Sequence, residues 1–452
     1  MKKIYLAAVA GNLGMLSTGQ YIGWASPSLP LLIMKDNDDP KSSVSLTLEE
    51  ASWVISLLTL GGITGCVSCI FMVNTFGRKK TMLFTIVPTI ISWLLIAFAT
   101  SAWELYVSRF VGGLSLGIAY SATPMYLGEI SPADIRGKLS SILTVAVKLG
   151  ILIEFVIGPF LSMRNLAFVS LVAPCLFVIA FIWLPESPYY LMRCDAKQKV
   201  INCLVQLRGK EDVNKEADNI EQFVKADLAN EANFCELIFV PGNRRALITL
   251  MCLGIFQQSS GSQAVIQYAE TIFNQINSNL EGKYLTIILG VVQLIFTIIS
   301  MTIIDRYGRK LLLIISSIGS ACSTAMIATY FHLQYYRVDT NNITWLPAIG
   351  AVTYIVMYAI GLAGIPFTLA SELFPMNVKA IGTTTTIVTT NVAAFIVTKL
   401  YPSLSEMAGT HTSFWLFTAC SIISALFTFF YIFETKGKTL EQIQQKLHNL
   451  SK

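Results

Sequence analysis

Four charged positions occur twice along this chain, in the same order and in similar surroundings. Arg78 in NTFGRKK (74–80) recurs 231 residues later as Arg309 in DRYGRK (305–310). Glu129 and Arg136, in EISPADIR, recur 243 residues on as Glu372 and Lys379, in ELFPMNVK. Glu186 in PES recurs 248 residues on as Glu434 in FET. Opposite charges at neighbouring helix ends can pair, and one partly wetted pair contributes about 1 kcal/mol or less. Several together make a contact that forms and breaks reversibly, which is the chemistry of a gate. The plainer alternative is that these residues only anchor loops in a headgroup layer. Recurrence of the whole set in order favours the gate.

The elements that must position these residues follow from composition. Of 452 residues, 54% are hydrophobic and 13% charged, where a soluble domain is about a quarter charged. The mean hydropathy is +0.61. Only helices or a closed barrel satisfy the backbone in lipid. Apolar runs of about 20 residues without strict alternation select helices. The runs predict helices near 4–33, 51–73, 81–99, 103–126, 139–161 and 164–184, then near 245–273, 283–304, 311–331, 346–371, 380–401 and 412–433. The expected fold class is an all-α membrane protein with twelve transmembrane helices in two pseudo-symmetric six-helix bundles. Its expected domains are a first bundle (1–184), a linker of short amphipathic helices (185–244), a second bundle (245–433) and a tail (434–452) with Leu440, Ile443 and Leu447 at helical spacing. Met1-Lys2-Lys3 and the apolar run behind it look like a signal peptide, but the run continues to Ile33 and reads as an uncleaved first helix.

Placing both termini in the cytoplasm puts 24 Lys and Arg inside and 6 in outer loops, Lys399 among them. That asymmetry sets the orientation and makes Asn342, in Asn-Ile-Thr, an outward glycosylation sequon. The nine cysteines fall in apolar runs or the linker and form no disulfide framework; Cys66 and Cys69 read as small packing residues. The three histidines, His332, His411 and His448, are expected in loops or the tail, and no nucleophile–base pair stands out. No Walker-type stretch is present. The chain is therefore expected to be no enzyme, to take no cofactor, metal or nucleic acid, and to work as a monomer in the bilayer.

Two halves of equal orientation imply bundles facing a central cavity, with substrate near the midplane. Lys148 is the most unusual residue, because burying an ionisable group mid-span costs at least about 2.5 kcal/mol. It lies one turn from Thr144 on the same helix face, whereas Glu154, six residues on, points elsewhere. Lys148 can recognise an anionic substrate, pair across the cavity, or sit neutral; a cavity role and a structural one stand level.

The strings SRFVGG (108–113), PMYLGEISPADIRG (124–137), PESPYYL (185–191), QQSSG (257–261), DRYGRK (305–310) and ETKGKTLEQI (434–443) occur together. With them the chain resembles a sugar porter of the major facilitator superfamily over nearly its whole length. GWASPSLP (23–30) and AFIVTK (394–399) resemble the facilitated trehalose transporter-like branch of insects. The resemblance implies sugar as substrate. Gln257 and Gln258 match the family's sugar-contacting glutamines, Gln263 stands at a position usually Asn, and Gln293 occupies another contact. Amides suit a sugar because each offers a donor and an acceptor on one planar group, although in membranes amides also serve as interhelical glue. The chain departs from the family at Thr144 (usually Gln), Phe367 (usually Trp) and Thr390-Asn391 (usually Asn-Trp). It also departs at Asn74-Thr75, usually Asp-Arg. Gly364 and Pro366 are expected to break the tenth helix.

The first helix holds no Asp or Glu where proton-coupled relatives carry an acid; Tyr21 lies near that position. The expected function is therefore facilitated transport of a hexose or trehalose by alternating access in the plasma membrane. The alternatives are a proton-coupled carrier, which Glu154 keeps open, a carrier of another small solute, and a transport-dead sugar sensor.

Overall fold

The computed structural model describes residues 2–33, 44–209, 213–229, 234–276, 280–375, 378–438 and 440–449. Their regular elements are all helical. In chain order they are α1 (Lys2–Gly23), α2 (Ala25–Ile33), α3 (Leu48–Thr75), α4 (Arg78–Phe84), α5 (Ile86–Ala97), α6 (Ala102–Ile130), α7 (Ala133–Ile157), α8 (Met163–Ser170) and α9 (Val172–Phe181). Four short helices follow: α10 (Pro188–Arg193), α11 (Lys197–Arg208), α12 (Asn214–Ala229) and α13 (Phe234–Phe239). Then come α14 (Pro241–Ser259), α15 (Ser262–Gln267), α16 (Ala269–Asn274), α17 (Gly282–Arg306), α18 (Arg309–Tyr335), α19 (Leu346–Ile360), α20 (Ile365–Leu373), α21 (Lys379–Ala408), α22 (Thr410–Tyr431) and α23 (Leu440–Asn449).

All twelve expected spans appear as helix, most with ends within four residues of expectation. Among the described residues, nine helices are long and apolar enough to cross a membrane. The other three expected spans are α1–α2, α6 and α14–α16. The fourth span, α6, is diluted by Glu104, Arg109 and Glu129. The seventh is cut into three pieces.

Several spans are interrupted, and prolines explain where. A proline lacks the N–H that would bond the carbonyl four residues earlier. The breaks at Trp24, Thr85 and Leu171 each stand three residues before a proline: Pro27, Pro88 and Pro174. The tenth span breaks between Ile360 and Ile365, just ahead of Pro366. Two expectations are corrected here. His332 and His411 lie not in loops but in the last turn of α18 and the first of α22, with rings 5.1 Å apart. Lys399 lies not in an outer loop but inside α21, which continues to Ala408.

By its contacts the chain divides into two compact units. The first comprises Met1–Tyr21, Leu60–Ile151 and Leu161–Glu231. Its helices approach closely where glycines meet carbonyls. A Cβ on Gly19 would stand 2.0 Å from Val147 O, and one on Gly150 2.1 Å from Leu16 O, so α1 and α7 cross backbone to backbone. Gly61, Gly65 and Gly117 join α3 to α6 in the same way. This is the small-residue packing of membrane helices. The interior is also polar. Tyr21 stacks on Trp93 with centroids 4.6 Å apart, and its hydroxyl donates to Thr89 O at 3.1 Å. Fully buried Arg109 donates to Tyr21 O at 2.8 Å. A cavity of about 20 Å³ beside Ser17, Tyr21, Thr89 and Ser115 has room for one water. The short helices α10 to α12 share a small core of Met192, Val200, Leu204, Val213, Ala217, Ile220 and Val224.

The second unit comprises Ile22–Thr59, Leu152–Phe160 and Ala232–Lys452. Here α18 lies along α22, tied by Ser317 to Ser424 at 3.1 Å and Thr324 to Thr418 at 2.8 Å. The outward faces of both units carry bare apolar side chains, including Phe71, Trp183 and Phe430 at 70%, 76% and 79% exposure. Such a surface is stable in hydrocarbon and not in water.

The glycine contacts make a prediction. Gly150→Ala forces the α1–α7 crossing apart, at about 1–3 kcal/mol, and should lower the melting temperature of the detergent-purified protein. Gly128→Ala, on α6 with nothing within 4 Å of the added Cβ, should leave it unchanged or raise it.

Candidate functional site

The duplicated charges form the same clamp in each unit. In the first, Arg78 opens α4 directly after Gly77. Its Nε and Nη2 donate to Glu129 at 2.9 Å each, and its Nη1 to Val73 O at 3.2 Å. The Ser187 hydroxyl donates to the same carboxylate. Glu186 accepts the Lys79 N–H at 2.9 Å, and Lys79 Nζ reaches Ile182 O at 2.8 Å. In the second unit Arg309 Nε and Nη2 donate to Glu372 at 3.3 and 3.1 Å, and Nη1 to Ile304 O at 3.4 Å. The Thr435 hydroxyl donates to Glu372 at 2.6 Å. Glu434 accepts the N–H groups of Arg309 and Lys310 at 2.9 and 3.1 Å, and Lys310 Nζ reaches Phe429 O at 2.7 Å. One clamp repeats the other, with the Arg309 N–H as an added donor in the second.

Glycine is required at both turns because the carboxylate lies against the backbone. A Cβ on Gly77 would meet Glu186 Oε2 at 2.6 Å, and one on Gly308 would meet Glu434 Oε2 at 2.2 Å. Gly77 also has φ 91°, a conformation that disfavours other residues. Burial pushes the Glu434 carboxyl up, but the backbone N–H groups of Lys436, Arg309, Lys310 and Thr435 outweigh it and hold the group below its ordinary value. Three of the four expected gate residues thus meet within each unit. Lys379 opens α21 half-buried; the side chain of Arg136 lies outside the described residues, as does that of Asp305.

The glutamines lie where the seventh span is broken. Gln257 and Gln258 end α14, 3% and 7% exposed, and Gly261, at φ 92°, turns the chain into α15. Gln257 Nε2 donates to Leu362 O at 2.7 Å and Ala363 O at 3.3 Å. Leu362 is the residue whose carbonyl Pro366 leaves without a helical partner. The amide therefore fills the gap made by a proline 109 positions away in sequence. The same device recurs one span on: Pro402 frees Thr398 O, and the Tyr268 hydroxyl donates to it at 3.1 Å. The seventh span is fastened in this way to the broken tenth and to the eleventh. Gln258 Oε1 accepts from Ser262 at 3.2 Å, and Gln263 Oε1 from Gln267 at 2.8 Å.

Thr390 packs on Gly254, one turn from Gln257 and Gln258; a Cβ there would stand 2.1 Å from Thr390 Oγ1. Asn391 donates to Ile387 O at 3.1 Å, within its own helix. Gln293 is buried on α17, 3% exposed, and Phe367 on α20 is 58% exposed. In the first unit Thr144 is exposed and Lys148 half-buried on α7. Asn342 is exposed. The second unit thus brings Gln257, Gln258 and Thr390 together beside the tenth-span break.

Sequence reading missed Lys399. Its Nζ lies 4.1 Å from the centroid of the Trp53 ring and donates to Ser52 Oγ at 2.7 Å, while Trp53 rests on Phe395 at 6.4 Å. A cation over an aromatic face is well placed in a dry helix contact. The available signal was an apolar run, AFIV, leading into the lysine without a turn residue.

The chain matches the family model described as sugar (and other) transporter over residues 16–447. It belongs to that family. It is 33% identical over 444 residues to the facilitated trehalose transporter Tret1 of Polypedilum vanderplanki, covering 98% of this chain and 87% of that one. A Tret1 of Anopheles gambiae is 34% identical over 445 residues, and the chain spans 56% of it. The chain spans about half the length of several other relatives, such as the Drosophila mojavensis Tret1 at 51%. In fold it is similar to the inward-open xylose transporter XylE of E. coli, with a TM-score of 0.81 at 23% identity, covering 98% of this chain and 99% of that one. The partially occluded XylE gives 0.78 at 24% identity, covering 97% and 100%.

The proline-freed carbonyl leads to a prediction. Gln257→Leu leaves Leu362 O unsatisfied, at about 1–3 kcal/mol, and should lower the melting temperature. Pro366→Ala supplies the missing N–H, so the double variant should lose less than the two single losses combined. Strict additivity in that cycle would show that Gln257 does not serve the break.

Proposed function

We propose that this chain carries a neutral sugar, trehalose or a hexose, down its gradient across the plasma membrane by alternating access. The observation that carries the reading is the pairing of two helix breaks by the buried amide of Gln257. In the second unit, Gln257, Gln258 and Gln263 gather where the seventh span bends, against the break of the tenth. Broken helices with polar side chains at mid-membrane are how carriers of this kind build a substrate site. The names of the trehalose-transporting relatives agree with this substrate class.

In this reading Gln257 fixes the wall through Leu362. Gln258, Gln263, Gln293, Thr144, Lys148, Phe367, Thr390 and Asn391 line the path. The halves 1–184 and 245–433 are the moving bundles, joined by 185–244, with tail 434–452. The Arg78, Glu129, Arg136 and Glu186 set, and its copy Arg309, Glu372, Lys379 and Glu434, hold the inner helix ends and gate the cycle. Both termini lie in the cytoplasm, Asn342 faces outward as a glycosylation acceptor, and the monomer is the working unit. A driving proton is not required.

Labelled trehalose and glucose uptake into proteoliposomes, with and without an imposed proton gradient, tests this. Saturable uptake that ignores the proton gradient is expected, and Gln258→Ala should reduce it at least tenfold while the protein still inserts. Uptake that requires the gradient, or sugar binding without flux, contradicts the proposal.

A further inference from the structure

The membrane interior of the first unit contains one cation whose environment differs from the others. Lys148 is the sixteenth of the 25 residues of α7 and lies within the apolar window Ile142–Phe160. It is about 14 Å along the axis from Ile157 and further from Ala133, too far for its four-carbon stem to carry the ammonium past either end of the helix. Other cations in the described spans have found partners. Arg109 donates to Tyr21 O, Arg78 to Glu129, Arg309 to Glu372 and Lys399 to Ser52 over Trp53. Among the described residues Lys148 has no carboxylate within ion-pair distance, no hydrogen bond and no aromatic face.

The faces of α7 show which way it is free. Leu143, Ala146, Val147, Gly150 and Ile151 are buried, and Val147 and Gly150 form the crossing with α1. Ile142, Leu149 and Val156, seven apart, form an exposed apolar stripe at 46%, 39% and 40% exposure, suited to lipid. Thr144 and Lys148 share a third strip, about 40° apart and roughly 100° from the lipid stripe at Leu149. A hydroxyl and an ammonium one turn apart, off both the packed face and the lipid face, offer two donors to one anion.

We propose that the substrate class includes anionic sugars, in which a carboxylate or phosphate on the ring pairs with Lys148 and accepts from Thr144. This rests on the sugar-carrier reading and narrows its substrate. The charged substituent supplies the ammonium with a counter-ion. A lysine left alone in this position disfavours the empty state, and an anionic substrate relieves it. Transport of such a substrate moves net charge and responds to membrane potential.

The probes are glucuronate and glucose 6-phosphate against glucose and trehalose. Two readouts are used: thermal stabilisation of the detergent-purified protein, and uptake into proteoliposomes under an imposed potential. Wild type should be stabilised by at least one anionic sugar and carry it in a potential-dependent way, and the two probes show whether carboxylate or phosphate is preferred. Lys148→Gln should weaken anionic-sugar binding at least tenfold more than it changes glucose binding, and Lys148→Arg should restore the difference. A cooperative melting transition of Lys148→Gln without sugar confirms that the variant is folded. Wild type that neither binds nor carries either anion, or Lys148→Gln that binds both as wild type does, overturns the inference. Neutral sugar flux with no anion binding overturns it while leaving the sugar-carrier reading standing. Absence of any sugar flux, by contrast, counts against that reading itself.

Discussion

The arginine fork at each basic turn is the constraint on which the rest of the structure depends. Arg78 and Arg309 each grip a carboxylate from another helix, and a second carboxylate closes over the backbone N–H groups of the same turn. Charge-assisted bonds of this geometry are the strong ones. Taking one partner away leaves a half-buried charge unpaired, which is worse than never having built the pair. The clamp therefore acts as a unit. It fixes three helix ends against each other in each unit, so that everything further along those helices is positioned from one end. Its second copy does the same with different neighbours, Thr435 for Ser187 and Phe429 for Ile182.

From that fixed end the spans are free to be imperfect. A proline breaks the tenth and another sits inside the continuous eleventh, and two side chains of the seventh take up the freed carbonyls, Gln257 at Leu362 and Tyr268 at Thr398. A soluble protein would leave such carbonyls to water; hydrocarbon leaves no such option. The seventh span is thus bent by Gly261 at the level where it holds the others. A bend secured by hydrogen bonds rather than by continuous helix is a place where a small change of shape is cheap.

Much of this was legible in the sequence, and the reasons are particular. The spans follow from run length, so α3, α17 and α18 came out within a few residues. The clamp was visible as an echo, because Arg78, Glu129 and Glu186 recur in the same order, in similar local strings, as Arg309, Glu372 and Glu434. What the spacing could not reveal is that each set pairs inside its own unit. The role of Gln257 was hidden because its partner lies 105 residues away and is a main-chain atom. Lys399 was misplaced because a lysine near a run's end reads as a loop residue, whereas its stem lies on Trp53 and its charge is held there. His332 and His411 were misplaced by only a residue or two, since aromatic neighbours extend both helices past their apolar runs.

Solute counterflow reports most directly whether this doubled, clamped framework works as a carrier. Proteoliposomes containing the chain are loaded with unlabelled trehalose or glucose and diluted into trace labelled sugar. A site that reorients with its substrate predicts a transient accumulation of label above the outside concentration, which decays as the gradient runs down. Label that only approaches equilibrium without an overshoot, for both sugars and at a rate indifferent to internal load, would contradict the account.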